Sequence, residues 1–267
     1  MCIRDRADLV STLNSGDFTV FAPTNDAFNN LFTALGVTGL DDLSKEALTP
    51  ILLYHVVGGV VKSTNLTAGY TGTASLGPND QPIKLKVDLT NGVKLNNNST
   101  VTTADVATTT GVIHIIDEVL LPPSIVDIAI GNEDFSILVA ALTRSDLTFD
   151  FVDFLSNDGP FTVFAPTNAA FQALLDSNPA WSSLDDIDAA TLDAVLKYHV
   201  ISGVNAESTS LVDGTDIATA NGEMITINTN NGVTVTDKGA NVANVDLADV
   251  QAKNGVVHVI NKVILPL

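Results

Sequence analysis

The four histidines are the side chains in this sequence best placed for chemistry near neutral pH, since an unperturbed imidazole changes charge there. They form two pairs, His55 with His114 and His199 with His258, and the first member of each pair follows a tyrosine, Tyr54 or Tyr198. Acid–base or nucleophilic work would need a positioned hydroxyl, thiol or carboxylate beside them. No Gly-x-Ser-x-Gly elbow, Walker loop or Gly-x-Gly-x-x-Gly follows any expected strand, so no catalytic residue is singled out. Metal ligation needs three or four ligands at short spacing. His-x-x-x-His, His-Glu-x-x-His and paired cysteines are all missing, so neither a metal nor a cofactor is expected. Recognition is the third use, with Tyr54-His55 and Tyr198-His199 as an exposed aromatic and imidazole that anchor a partner. The competing reading makes each a helix-end histidine satisfied by internal hydrogen bonds, and it is favoured because short apolar-flanked histidines are usually core. His114 and His258 lie inside apolar strands and are read as structural for the same reason.

Two aspartates follow the same doubled logic. Asp105-Val106 and Asp249-Val250 each pair a carboxylate with a β-branched neighbour before a turn. As functional residues they would offer the carboxylate to a metal-bearing receptor; as structural residues, the favoured reading, they brace the turn. The chain has no Asp-x-Asp-x-Asp-Gly loop with a distant glutamate, so an EF-hand is not expected. Asn65-Leu66-Thr67, Asn97-Asn98-Ser99 and Asn98-Ser99-Thr100 match glycosylation sequons.

These residues recur because the chain repeats itself. Phe18-Thr19-Val20-Phe21-Ala22-Pro23-Thr24-Asn25 returns unchanged at Phe161 to Asn168, 143 residues later. Tyr54-His55-Val56 returns as Tyr198-His199-Val200, and Gly111-Val112-Ile113-His114-Ile115-Ile116-Asp117 as Gly255-Val256-Val257-His258-Val259-Ile260-Asn261, both 144 residues later. A period this long means duplicated domains and not a solenoid. Leu121-Pro122-Pro123-Ser124 is the expected joint, stiffened by two prolines.

The elements that position the motifs follow from pattern. Phe18 to Ala22 alternates as a buried strand, Pro23 ends it, and Thr24-Asn25 (Thr167-Asn168 in the repeat) supplies N-cap oxygens to a helix bearing Phe28, Leu31 and Phe32. A second helix is expected over Ser44–Val56 and Asp188–Val200, where Leu192, Val195, Leu196 and His199 share one face. Pro50 should kink the first-copy helix or delay its start. Hairpins follow at Ile83–Leu89 with Val93–Leu95 and at Met224–Asn228 with Val233–Val235, turning at Asn91-Gly92 and Asn231-Gly232. Val112 to Leu121 is apolar on both faces, as a central strand would be. Helices first and strands after give an α+β unit. The second copy opens with Ser124 to Leu147, including a helical pattern over Phe135–Leu142 with no first-copy counterpart.

Composition sets the outer limits. The chain has 267 residues, 45% hydrophobic and 16% charged, so it can bury a core. Thirty-one acidic against 12 basic residues give a formal charge of −19, which opposes nucleic-acid binding. No apolar run is long enough to span a membrane as a helix. Residues 1–6, Met1-Cys2-Ile3-Arg4-Asp5-Arg6, match read-through of a transposase adaptor used in sequencing libraries, and are expected to be an artefact. On that expectation a first domain, residues 7–121, lacks its N-terminal helical segment and any secretion signal, and a second occupies residues 122–267. Their formal charges are −6 and −14.

The two Phe-Thr-Val-Phe-Ala-Pro-Thr-Asn blocks, the two Tyr-His pairs and the two Gly-Val-(Ile/Val)-His segments together resemble the fasciclin (FAS1) domain family, in a tandem, bacterial-type form. The resemblance implies two β-wedge or sandwich domains wrapped by helices, in secreted or surface-tethered adhesion proteins without a catalytic centre. It makes Tyr54, His55, Tyr198 and His199 the proposed adhesive pairs, with Asp105, Val106, Asp249 and Val250 at a second recognition segment. Thr24, Asn25, His114, Thr167, Asn168 and His258 then hold the motifs structurally. Two departures stand out. Asn261 replaces the usual aspartate of the second signature, and of the integrin-linked Asn-Lys-Asp-Ile-Leu pattern only the aspartate and a β-branched neighbour remain. The expected function is non-enzymatic adhesion to cell-surface or matrix protein or glycan, extracellular, on the cell surface or periplasmic, in a form compatible with a longer chain. The alternative is a carrier of a small hydrophobic or saccharide ligand in the wedge between helices and sheet.

Overall fold

The computed structural model describes residues 16–267. The expectations for residues 1–6 and for the segment before residue 16 lie outside them. The chain divides between Pro122 and Pro123 into two compact units.

In the first unit, β1 (Phe18–Pro23) leads into α1 (Asn25–Leu35) and α2 (Lys45–Tyr54). Strands β2 (Val56–Gly58), β3 (Gly69–Leu76), β4 (Pro82–Asp88), β5 (Lys94–Leu95), β6 (Ser99–Ala107) and β7 (Gly111–Ile116) follow. Their order is β2-β1-β7-β6-β5-β4-β3, with β1 and β7 parallel and the other pairs antiparallel. β5 is only two residues long and meets β6 at Ser99 and Thr100, so a short seam joins two arms. Between the arms sits the core: Phe21 and Ile116 from one, Ile83, Leu85, Val87 and Leu95 from the other, and Tyr54 from the end of α2. This is the expected α+β wedge.

The second unit opens with three short helices, α3 (Ile125–Ile130), α4 (Ser136–Leu142) and α5 (Phe151–Ser156). β8 (Phe161–Pro166), α6 (Asn168–Asp176) and α7 (Ala189–Tyr198) repeat the first-unit start. Then come β9 (Val200–Ser202), β10 (Thr215–Ala218), β11 (Met224–Asn228), β12 (Thr234–Thr236), β13 (Val242–Ala252) and β14 (Gly255–Ile260), in the order β10-β11-β12-β13-β14-β8-β9. Every residue of β8 and β14 is buried, whereas β1 and β7 alternate between buried and half-buried positions.

Local chemistry explains the repeated residues. Thr24 and Thr167 cap α1 and α6 by accepting from the amides of Ala27 and Ala170. A Cβ on Gly111 would lie 2.0 Å from the Phe18 carbonyl oxygen, and one on Gly255 2.2 Å from that of Phe161, so both parallel pairings require glycine. Two expectations are corrected. Of the two effects expected of Pro50, the delayed start is overturned: α2 starts at the Ser44 cap, as α7 does at Asp188, and continues past Pro50. The Glu46 carbonyl left without its helical donor is on an exposed residue, where water can satisfy it. The strand expected to reach Leu121 ends at Ile116, because the chain turns away to bring the amide of Leu120 to His55.

Candidate functional site

Each unit builds its Tyr-His pair at the C-terminal end of its last helix, α2 or α7, where the last carbonyls lack helical donors. His55 is the C-cap of α2 and His199 that of α7. The ring nitrogens bridge distant backbone. Nε2 of His55 accepts from the Leu120 amide at 2.9 Å, which leaves Nδ1 to donate to the Ile51 carbonyl at 2.7 Å. His199 repeats this with Ile264 at 3.1 Å and Val195 at 2.7 Å. Since an N–H must point at Nε2, the neutral tautomer is required. Burial pulls both imidazoles down to about 4. A helix-end cation, the charge state that position would otherwise favour, is therefore not present.

The tyrosines bolt the same helix ends to the second arm. Tyr54 donates to the Lys84 carbonyl at 2.8 Å and accepts from Asn96 at 3.0 Å. Tyr198 donates to Met224 at 2.7 Å and accepts from the Lys238 amide at 3.2 Å. Both tyrosines are 0% exposed, and His55 and His199 are 4% and 3% exposed. The exposed aromatic and imidazole expected of an anchor are therefore corrected to buried ties, because a neutral ring flanked by apolar residues gains more from internal partners than from water.

The second histidines are held as fully. His114 accepts the Asp105 amide at Nδ1 and donates from Nε2 to Val61, at 3.3 and 2.9 Å, while stacking on Phe21 with ring centroids 5.5 Å apart. His258 pairs likewise with Asp249 and Ala206 and stacks on Phe164, and burial lowers its proton affinity. Asp105 and Asp249 sit at left-handed backbone angles, φ 62° and 61°, where β6 and β13 bulge against β7 and β14. Their carboxylates reach back to Ser63 and Ser208: Asp105 accepts from the Ser63 amide at 2.8 Å and Asp249 from the Ser208 amide at 2.7 Å, each also bonding the serine hydroxyl. The Ser63 hydroxyl chiefly holds the Asp105 carboxyl below its ordinary range. Val106 is 39% exposed, but Val250 is 2% exposed and offers no surface.

Asn261 keeps the work of the aspartate it replaces. Asp117 accepts from the Thr100 amide at 2.6 Å, and the Asn261 carbonyl accepts from the equivalent Asn244 amide at 3.0 Å. Asn168 does more than flank a cap. It accepts from Ile137 and donates to Glu133 and Ser136, tying α6 to the start of α4. Sequence reading passed over Asn254, which is 2% exposed, accepts from the Ile125 amide and donates to the carbonyls of Leu155 and Asn157. It also passed over Lys84, Lys86 and Lys94, although period-two alternation was a signal that these share one face.

An apolar cavity of about 50 Å³ lies in the second unit. Phe135, Leu138, Phe151, Leu155 and Val163 are among its walls; His199 lines it and Tyr198 does not. Among the described residues no histidine, cysteine, aspartate and glutamate side chains gather in threes as a metal site needs, and no helix is long and apolar enough to cross a membrane.

The fasciclin domain model matches residues 3–122 and 133–266. Over 143 residues the chain is 43% identical to Protein sll1483 of Synechocystis, covering 54% of this chain and 73% of that protein. It is 31% identical to human periostin over 94% of this chain, and 31% identical to pig transforming growth factor-beta-induced protein ig-h3 over 98%. The chain spans only 28% and 35% of those two relatives. A solved FAS1 domain pair from the insect cell adhesion molecule Fasciclin I superposes with a TM-score of 0.55, covering 98% of this chain and 94% of that one at 22% identity.

Proposed function

Because the chain belongs to the fasciclin domain family, we propose that it is a non-enzymatic adhesion protein that binds cell-surface or matrix components from an extracellular or cell-surface position. One observation carries this reading. In both copies the histidines have their two ring nitrogens taken by backbone groups, so the repeated motif maintains a scaffold and leaves no imidazole free for proton transfer. A scaffold kept twice acts through its surface, and duplication raises avidity through effective concentration. The similarity to a domain pair from an insect cell adhesion molecule supports the same direction at the level of fold. The carrier reading stands as the alternative: the apolar second-unit cavity is only about 50 Å³, but a neighbouring hollow lined by Arg144, Phe149 and Asp150 reaches about 390 Å³, within the about 300–1,000 Å³ of small-molecule pockets.

The test is retention of cells and of a glycan panel on the immobilised protein, with soluble protein as competitor. Saturable, competable retention is expected, with the pair holding at least about tenfold more strongly than either unit alone. Absence of retention on every surface tried would sink the proposal.

A further inference from the structure

In a chain of net charge −19, three of the first unit's lysines gather on one sheet face. β4 alternates between core and outside: Ile83, Leu85 and Val87 are buried, and Lys84, Lys86 and Asp88 point the other way. Lys86 pairs directly with Tyr70 on β3, and Lys94 on β5 pairs with Asp88. Directly paired residues share a face, so Tyr70, Lys84, Lys86 and Lys94 form one outward surface. Lys84 and Lys86 are about 6.7 Å apart along the strand, and Lys94 lies about 7–8 Å diagonally from Lys86. Asp88 is the carboxylate of these strands on that face: it accepts from the amide and hydroxyl of Thr90, and these bonds first, with the charges of Lys86 and Lys94 after them, hold it below its ordinary range, so the lysines outnumber it three to one.

The second unit serves as an internal control. The tyrosine bonds to Lys84 and Met224 fix the register between copies, as do the Val101–Val93 and Val245–Val233 backbone bonds. Where the first unit has Tyr70, Lys84, Lys86 and Lys94, the second has Asp216, Met224, Thr226 and Thr234. The fold therefore does not need cations here.

We propose that this face of the first unit binds a linear anionic polysaccharide, with the three ammonium groups meeting successive acidic groups and Tyr70 packing against a sugar ring. The inference rests on the adhesion reading and names its ligand class. A nucleic acid fits less well, because its duplex places one charge every ~1.7 Å against a body that is itself strongly negative.

The probe is fluorescently labelled polygalacturonate, titrated by anisotropy with the full chain at low salt. Lys84→Gln/Lys86→Gln/Lys94→Gln is compared with Lys45→Gln/Lys62→Gln/Lys253→Gln, which changes net charge equally, after melting curves confirm that both fold. Saturable binding that weakens at least tenfold in the first variant, holds in the second and falls with added salt is expected. The proposal is overturned if the wild type does not bind, if both variants weaken alike, if the face variant binds normally, or if an oligonucleotide of equal charge displaces the polysaccharide. Cell retention is run in parallel: retention without polygalacturonate binding defeats this inference alone, and polygalacturonate binding without retention defeats the adhesion reading alone.

Discussion

His199 shows how one buried residue carries a pH dependence. Its folded value is about 4 against an ordinary 6.5, and His55 matches it. Above pH 6.5 folded and unfolded chains both hold neutral imidazole, and the stabilising contribution is complete. As pH falls from 6.5 toward 4, the unfolded chain takes up a proton that the folded chain excludes. Stability therefore falls with falling pH, by up to about 1.4 kcal/mol per pH unit for each histidine, or about 3 kcal/mol for each over the whole window. Urea unfolding at pH 7 and pH 4.5 should show this loss in both units, and His199→Gln should flatten the slope in the second only. A slope unchanged by that substitution would rule out the assignment. Carboxylates such as Asp105 add their own loss at lower pH, because Ser63 holds that group below the usual range. Asn261→Asp tests the replaced signature residue. The carbonyl oxygen that accepts from Asn244 survives the exchange, so the stability change should stay within about 0.5 kcal/mol. The histidines' structural role was legible from their apolar flanks; the partners of each nitrogen were not, since Leu120 and Ile264 lie 65 residues away in sequence.

Among the elements, α2 and α7 differ most plainly at Pro50, where the second copy has Ala194. Pro50 has no N–H for the Glu46 carbonyl, so Pro50→Ala should stabilise the first unit by about 1–3 kcal/mol, read as a raised melting temperature. The caps at Thr24, Ser44, Thr167 and Asp188 were legible because capping is local, a matter of three residues. Alternation likewise revealed the hairpins. What sequence could not reveal was non-local: β1 running parallel to β7, the bulges at Asp105 and Asp249, and the ties made by Asn254. Asn254 satisfies the start of α3 and the end of α5 with three hydrogen bonds from a buried site. Asn254→Ala should destabilise the second unit by about 2–4 kcal/mol, because it strands two carbonyls and an amide. Thr110 holds the equivalent place in the first unit and gives a control: Thr110→Ala should cost less than about 1 kcal/mol there.

At the scale of the molecule, duplication was the most legible feature, since it needs only identity at a fixed offset. The unequal burial of the two first strands required coordinates. In the second unit α3, α4 and α5 precede a first strand buried at all six positions. In the first unit only Thr19 and Phe21 of the equivalent strand are buried, and Phe18, Val20 and Ala22 are half-buried. Each Å² of apolar surface left in water forgoes about 25 cal/mol, so two or three such side chains separate the units by several kcal/mol. Differential scanning calorimetry of the whole chain at pH 7 should therefore resolve two transitions. The first unit should melt about 10 °C or more below the second, by the usual conversion of a few degrees per kcal/mol. Asn254→Ala should lower only the upper transition and Pro50→Ala raise only the lower, assigning each peak to its unit. A single transition that both substitutions shift together would mean that the copies unfold as one cooperative body, and the unequal burial of their first strands would then carry no thermodynamic consequence.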